Sequence, residues 1–567
     1  MRRPGMWLAT GALVLGAVLL GAAGCGGSSS NTSSAGASST GAAPQGGVMK
    51  AAWHGGIDFI DPALAYYQES WQVEYATCVK LLNYPDKPAP AGYALQPEAA
   101  SSMPQITDNG KTYTFTVPAG KYKFNTGEPV TAQTYADALM RDLNPKQLSP
   151  LVNFVDTSSS SIVGASNWNG KGTIPGIVVN GDKLTVHLTA PNGAFEAEMA
   201  TPFMCSIPKN TPINSKGVNS IAGAGPYYIA SYTPNKSLVL KKNPNYHGDR
   251  PHNLNEIDFS QFTIDQNQGL LETKNGQLDY CPDCVTAAQS FSLNQQYGTG
   301  SPAAQSGKQR FYINPEIEVN YYAMNTANKA FSNALVRQAV NYAIDRTGMT
   351  KQLGYKAGIP TDKYLPPQLP GASVEKSIYP LVPDLSKAQS LMAQAKAQGV
   401  KTPINVLVYS TQGCESCTNR MALLTQELKP LGINVSVKYF ERAVQFQQEG
   451  VKGTPNDIAD EGWLADFPDP YDFINILLSG ENILPKNGDN FSYFNDPTYN
   501  QKMSAAAATT GQTRATTYGN LATDIAKNAA PWAAWSNQTN YDFFGPAVGC
   551  QLWEPSYGMD LANLCKS

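Results

Sequence analysis

Eight cysteines remain in this 567-residue chain once Cys25 is set aside: Cys78, Cys205, Cys281, Cys284, Cys414, Cys417, Cys550 and Cys565. Cys281-Pro-Asp-Cys284 and Cys414-Glu-Ser-Cys417 both have CxxC spacing, and three chemistries are open to such a pair. Thiol–disulfide exchange wants the first sulfur at a helix N-terminus that follows a strand. Structural zinc wants two pairs brought together, and the separation of about 130 residues is far from ordinary knuckle spacing. Structural disulfides are the third reading, and an even count in an exported chain favours them. Cys550 with Cys565 would clip the C-terminus. Eight cysteines allow 105 pairings, and the sequence does not choose among them.

Other reactive groups are scarce. There is no Gly-x-Ser-x-Gly elbow and no HExxH helix, and Gly164 to Lys171 misses the phosphate-loop register by one position. Only four histidines occur, and His187 falls in an alternating strand while His247 and His252 flank a Gly-Asp-Arg-Pro turn. These read as solvated residues, so neither a metal site nor a cofactor is expected, and the chain does not read as an enzyme. A net charge of -3 offers no basic footprint for nucleic acid.

The elements that position these residues change character along the chain. Tyr113, Phe115 and Val117 alternate with threonines after the turn Asp108-Asn109-Gly110, as a half-buried strand does. Ile177 to Val179, the turn Asn180-Gly181, and Leu184, Val186 and Leu188 form a hairpin pattern. Later the period becomes helical. Val336, Ala339, Val340 and Ala343 share one face of a helix predicted to end near Arg346. Ala388, Leu391, Met392 and Ala395 repeat the pattern between a Ser386 cap and a Gly399 stop. A strand at Ile404 to Tyr409, a helix around Met421 to Leu428 and a strand with Ile433, Val435 and Val437 predict a parallel crossover unit. The fold class is α/β with a strand-rich insertion, and about 520 residues exceed one ordinary core.

The N-terminus carries an address. Arg2 and Arg3 precede an apolar run from Trp7 to Leu20, within signal-peptide range and too short for a comfortable membrane span. Gly21, Ala22, Ala23 and Gly24 before Cys25 resemble a bacterial lipobox, with Ala22 where leucine is usual. Residues 1–24 would then be the signal peptide, and Cys25 would carry the lipid. Cleavage near Ala23 by an ordinary signal peptidase is the alternative. From Gly26 to Gly47 the chain is almost wholly Gly, Ser, Thr and Ala, which predicts a disordered tether with a reach of about 25 Å. The expected location is the outer face of a cell membrane, with a monomeric soluble body.

Five collinear stretches carry a resemblance. They are Ile57 to Tyr67, Asn109 to Leu139, Gly223 to Ile229 with Lys241 to Gly248, Asn320 to Arg346, and Gly462 to Phe473. Together they resemble the bacterial extracytoplasmic solute-binding proteins of family 5, the peptide and nickel receptors of ABC importers. The resemblance implies a periplasmic-binding-protein-like fold of type II, with two lobes around a hinge and an inserted strand-rich third domain. The expected boundaries are 48–92, 218–310 and 536–567 for lobe I, 93–217 for the insertion, and 311–535 for lobe II. It further implies that a solute, an oligopeptide in the first instance, is captured between the lobes and passed to a membrane permease. A different solute, such as an oligosaccharide or metal chelate, is the alternative within the class, and a lipid-anchored thiol oxidoreductase or hydrolase is the alternative outside it.

By the same resemblance, Asp466 would accept the α-ammonium of a peptide and Trp463 would line its pocket. Tyr66, Tyr67 and Gln68 would meet its backbone, as an added strand does. Two positions depart from the family pattern. Asp460 stands where an oligopeptide receptor carries an arginine, and Leu151 where one has a pocket tyrosine, so the contact for a ligand carboxylate is left open.

Overall fold

The first core forms around a four-stranded sheet in the order Val48–Ala52, Glu256–Gln261, Ser237–Lys242, Tyr227–Thr233. Val48–Ala52 runs parallel to Glu256–Gln261 and the other pairings are antiparallel. Met49, Ala51, Leu238, Leu240, Ile257 and Phe259 point to one apolar side, and Trp53 stacks on Phe259 with ring centroids 3.6 Å apart. The structure, a computed structural model, describes residues 43–157 and 159–567. The expected signal peptide and lipidated Cys25 lie outside the described residues. At the end of the expected tether, Gly46 N–H donates to the Asn253 carbonyl at 2.7 Å and Gly47 accepts from Asn255 N–H at 3.0 Å, so Gln45 to Gly47 join the fold.

A second, larger sheet holds the helical half. Glu318–Met324 lies between Ile458–Leu464 and the 12-residue strand Trp532–Phe543, and Ile404–Thr411 and Ile433–Phe440 extend it. The crossover unit is present as expected. Ile404–Thr411 and Ile433–Phe440 pair in parallel, with helix Glu415–Leu428 between them in the chain. The apolar faces of Ala334–Ala343 and Leu385–Ala397 are buried at the predicted positions. Two helix ends differ from expectation. Asp384, not Ser386, caps Leu385–Ala397 by accepting the Lys387 N–H at 2.9 Å. The earlier helix stops at Ala343, because Asp345 caps a new helix, Arg346–Lys351.

The long strand Trp532–Phe543 belongs to both halves. Its first part pairs with Glu318–Met324, and Thr539 to Phe543 pairs with Phe311–Pro315. Tyr280 bridges Phe544 on one side and Ala51 on the other, tying that end to the first sheet. Glu316 and Ile317 link Phe311–Pro315 to Glu318–Met324 within the larger sheet, and Trp532–Phe543 pairs with both strands.

The strand-rich layer is a four-stranded antiparallel sheet, Gln105–Thr107, Thr112–Thr116, Lys183–His187, Ile177–Asn180. Its inward residues are the alternating ones, Tyr113, Phe115, Leu184 and Val186. Asp108, Asn109 and Gly110 all adopt positive φ (52°, 55° and 85°), the turn that glycine and asparagine tolerate best. An insertion must leave and return at neighbouring points. Here Ser206 N–H donates to the Val79 carbonyl at 3.1 Å, and a Cys78–Cys205 disulfide closes the loop beside it. Arg141, on the helix Ala132–Asp142, forms a bidentate pair with Asp61 at 2.7 Å for both bonds, with side chains 3% and 0% exposed.

Candidate functional site

A cleft with a cavity of about 630 Å³ lies where these layers meet, and Tyr66, Tyr67, Gln68, Trp463 and Asp466 all line it. Asp466 follows the strand Ile458–Leu464 and is 5% exposed. Its Oδ2 accepts from the Tyr66 hydroxyl at 3.0 Å, and its backbone N–H donates to Asp472 Oδ2 at 3.0 Å. Burial, with the charge of nearby Asp489, pushes the Asp466 carboxyl up to about 8, against the lowering effect of the Tyr66 and Asp472 hydrogen bonds. Trp463 Nε1 donates to the same Asp472 Oδ2 at 3.1 Å. Asp472 is fully buried on the helix Pro470–Leu478, so one carboxylate orients both the indole and the Asp466 backbone.

Across the cleft, Tyr66 and Tyr67 immediately precede the helix Gln68–Thr77. Their backbone N–H groups both donate to Asp58 Oδ2, at 2.9 and 3.2 Å. Those two amides are therefore engaged, which leaves side chains and carbonyls as the contacts this stretch can offer to an extended ligand. Gln68 Nε2 donates to Glu316 Oε1 at 3.1 Å. Glu316 is pushed well up by burial and by Glu318, which sits beside it.

The ionisable residues of the cavity are mostly acidic. Asp58, Glu69, Glu316, Glu318, Asp466 and Asp489 line it, against Arg442 and Lys486. Asp489 accepts from Asn153 Nδ2 at 2.8 Å, and burial lifts its carboxyl to about 7. Glu69 is likewise lifted to about 7, by burial and then by Asp283. Carboxyls raised in this way are held back from ionising by burial, and a cation entering the chamber would favour their ionised form.

A second chamber of about 410 Å³ continues from the first, sharing Glu318, Arg442, Gln538 and Asn540 with it. Asp460 is here, buried, with Oδ2 accepting from Ser410 Oγ at 2.8 Å and from Arg420 Nη2 at 3.2 Å. The position that departs from the family's arginine thus supplies half of an internal ion pair. Leu151 is fully buried and packs in the core that includes Phe154.

All eight cysteines pair in the structure: Cys78–Cys205, Cys281–Cys284, Cys414–Cys417 and Cys550–Cys565. Cys281, Asp283 and Cys284 cluster closely enough to suggest a metal, but both sulfurs are committed to the disulfide.

Sequence reasoning did not find Asp472, Asp489, Asn153, Glu316 or Arg442. Asp472 reads locally as an ordinary first-turn acid after Asp469-Pro470, a signal that explains a helix start and hides its second task. Arg442 opens the helix Arg442–Glu449, and its guanidinium lies over the Tyr67 ring at 5.6 Å.

Two lobes around a cleft, with crossing strands between them and a third layer inserted in the first, define the type II class of periplasmic binding folds. Solved structures with this architecture superpose on nearly the whole chain. The clavulanic acid biosynthesis oligopeptide binding protein 2 gives a TM-score of 0.80 at 22% identity, covering 92% of this chain and 96% of that one. The Helicobacter pylori periplasmic binding protein DppA, solved in complex with the peptide STSA, gives 0.75 at 19% identity, covering 92% and 98%. The profile of the bacterial extracellular solute-binding proteins, family 5, matches residues 94–484, and the chain belongs to that family. Among curated relatives, the oligopeptide-binding protein OppA of Bacillus subtilis (strain 168) is 25% identical over 435 residues, 74% of this chain and 75% of that protein. The periplasmic murein peptide-binding protein MppA of Escherichia coli (strain K12) is 24% identical over 453 residues, 76% and 78% of the two chains. Members of this family are solute-binding receptors. Among the described residues no helix is long and apolar enough to cross a membrane.

Proposed function

We propose that the chain is a lipid-anchored extracytoplasmic receptor that closes on oligopeptides and delivers them to an ABC-transporter permease. The observation that carries this reading is Asp466, a carboxylate buried in the cleft wall, with its oxygen directed by Tyr66 from the opposite lobe. An α-ammonium brought against it makes charge-assisted hydrogen bonds in a site shielded from water. Trp463 lines the same wall, while Tyr66, Tyr67 and Gln68 face the peptide from the other lobe. The surplus of carboxylates favours that ammonium end, and Arg442, which faces both chambers, is the candidate partner for the carboxylate end. The names of the relatives OppA and MppA support a peptide as the solute. Cys25 would hold the body to the membrane through its lipid, and residues up to Ala42 would supply the tether.

The test is calorimetry with peptides that differ only in N-terminal acetylation. The free peptides bind, the acetylated ones bind at least about a hundredfold more weakly, and Asp466→Ala removes the difference, as loss of one partner of a buried charge pair costs about 3 to 5 kcal/mol. Equal affinities for free and acetylated peptides would remove Asp466 from the role.

A further inference from the structure

One of the four disulfides is built unlike the others. Cys414 follows the strand Ile404–Thr411 by a short turn, in which Gly413 has a φ of +71°, and it is the N-cap of the 14-residue helix Glu415–Leu428. Its Sγ accepts the Cys417 N–H at 3.1 Å, and the Ser416 hydroxyl lies 3.2 Å away. Cys414 is half-buried, while Cys417 is 7% exposed and lies behind it. Arg420 Nη2 donates to Cys417 Sγ at 3.5 Å. A strand, a turn, an accessible first sulfur at a helix start and a covered second sulfur beside a guanidinium are the surroundings that lower a thiol's pKa.

The pair also has somewhere to receive a solute. Cys414, Cys417, Arg420 and Asp460 line the second chamber, which opens into the main cavity, and Pro282 and Asp283 face it as well. Asp460 is 8% exposed, and its Oδ1 has no hydrogen-bond partner among the described residues. A buried, unsatisfied carboxylate oxygen in a chamber wall is costly unless a ligand or water completes it. By contrast, Cys281 and Cys284 are both 1% exposed, Cys78 and Cys205 are 7% and 1% exposed, and Cys550, half-buried beside Cys565 at 3%, caps no helix and lines neither chamber.

We propose that Cys414–Cys417 is an exchangeable disulfide that forms a mixed disulfide with a low-molecular-weight thiol admitted to the second chamber. The incoming thiol loses its proton to solvent, and its sulfur attacks Cys414 Sγ. A bond from that sulfur to Cys414 forms, the Cys414–Cys417 bond breaks, and the electron pair leaves on Cys417 as a thiolate facing Arg420. Return attack by Cys417 expels the thiol, so the step is reversible and needs no external oxidant or reductant. The inference stands on the second chamber and does not depend on Asp466 or on peptide capture in the first.

The test uses the full-length protein with glutathione or with 2-mercaptoethanol, followed by iodoacetamide quenching and peptide mapping by mass spectrometry. The expected product carries the thiol on Cys414 and carbamidomethyl on Cys417, with the other three disulfides intact. Adduct with both thiols supports a site open to peptidyl thiols, and adduct with 2-mercaptoethanol alone supports one restricted to smaller thiols. No adduct at Cys414, or reaction at all four disulfides at similar rates, overturns the proposal. Arg420→Gln should slow adduct formation at least about threefold, the result of a one-unit rise in leaving-group pKa at a Brønsted sensitivity of about 0.5. An unchanged rate in a folded Arg420→Gln overturns the role given to Arg420. Should that variant fail to fold, mapping of the native protein decides alone.

Discussion

If Asp466 accepts an α-ammonium as proposed, its raised carboxyl would make ligand capture a proton-release reaction. In the empty cleft it titrates at about 8, chiefly because it is buried. An α-ammonium binds its ionised form, and a peptide amine titrates at about 7.8. The competent pair, ionised Asp466 with protonated amine, is then about 1% of the total at pH 6, about 8% at pH 7 and about 20% at pH 8. Affinity should rise about eightfold from pH 6 to 7 and twofold to threefold more to pH 8, then fall by pH 9 as the peptide loses its charge. At pH 7 about 0.9 proton leaves Asp466 and about 0.1 is taken up by the amine, a net release of about 0.8. Isothermal calorimetry in buffers of different ionisation enthalpy reads that number directly. Asp472 and Asp489 are also lifted, and they remain in Asp466→Asn, so that variant isolates the contribution of Asp466. It should bind weakly, with no net proton release and a flat profile from pH 6 to 7. An affinity for the native protein that is constant from pH 6 to 7.5, with no buffer dependence of the heat, would refute the reasoning.

Arg141→Met should leave Asp61 buried without its charge partner and cost about 3 to 5 kcal/mol, read as a lowered urea midpoint; adding Asp61→Asn should recover a good part of it. The double variant Cys78→Ser/Cys205→Ser opens a loop with a sequence separation of 127 and should lose about 4 to 5 kcal/mol in denaturant titrations, with the inserted layer becoming the first segment to exchange its amides.

Local periodicity carried most of the fold. Tyr113 with Phe115, Leu184 with Val186, and the i, i+3, i+4 faces of the two long helices are buried as their spacing requires, because each reports the face its own element turns to the core. Helix ends were less legible. Asp384 and Ser386 are both good capping residues two positions apart, and only backbone geometry decides which side chain reaches Lys387 N–H. The site was legible through two resembling stretches, one reaching Tyr66 and Tyr67 and the other containing Trp463 and Asp466, but not which residues of one meet those of the other. Partners lie far apart in the chain, with Tyr66 400 residues from Asp466 and Asn153 336 residues from Asp489. No local pattern encodes such a meeting.

The distance in sequence between Tyr66 and Asp466 also bears on closure, because on the proposed lobe boundaries the two residues fall in different lobes. While Asp466 is protonated, the Tyr66 hydroxyl donates to a neutral acid, and such a bond contributes about 1 kcal/mol. A ligand ammonium that ionises Asp466 turns the same contact into a charge-assisted bond worth about 1.5 to 3 kcal/mol. Ligand and lobe closure would thus reinforce one another through a single proton, with no new contact between the lobes. Gln68 to Glu316 is a weaker parallel, since burial and the neighbouring Glu318 raise the Glu316 carboxyl. Tyr66→Phe separates the two contributions. It keeps the ring against Trp71 and Phe203 but removes the donor, so peptide should still bind through Asp466 while the compaction on binding, read by small-angle scattering, shrinks. A variant that compacts as fully as the native protein would show that closure runs through other contacts.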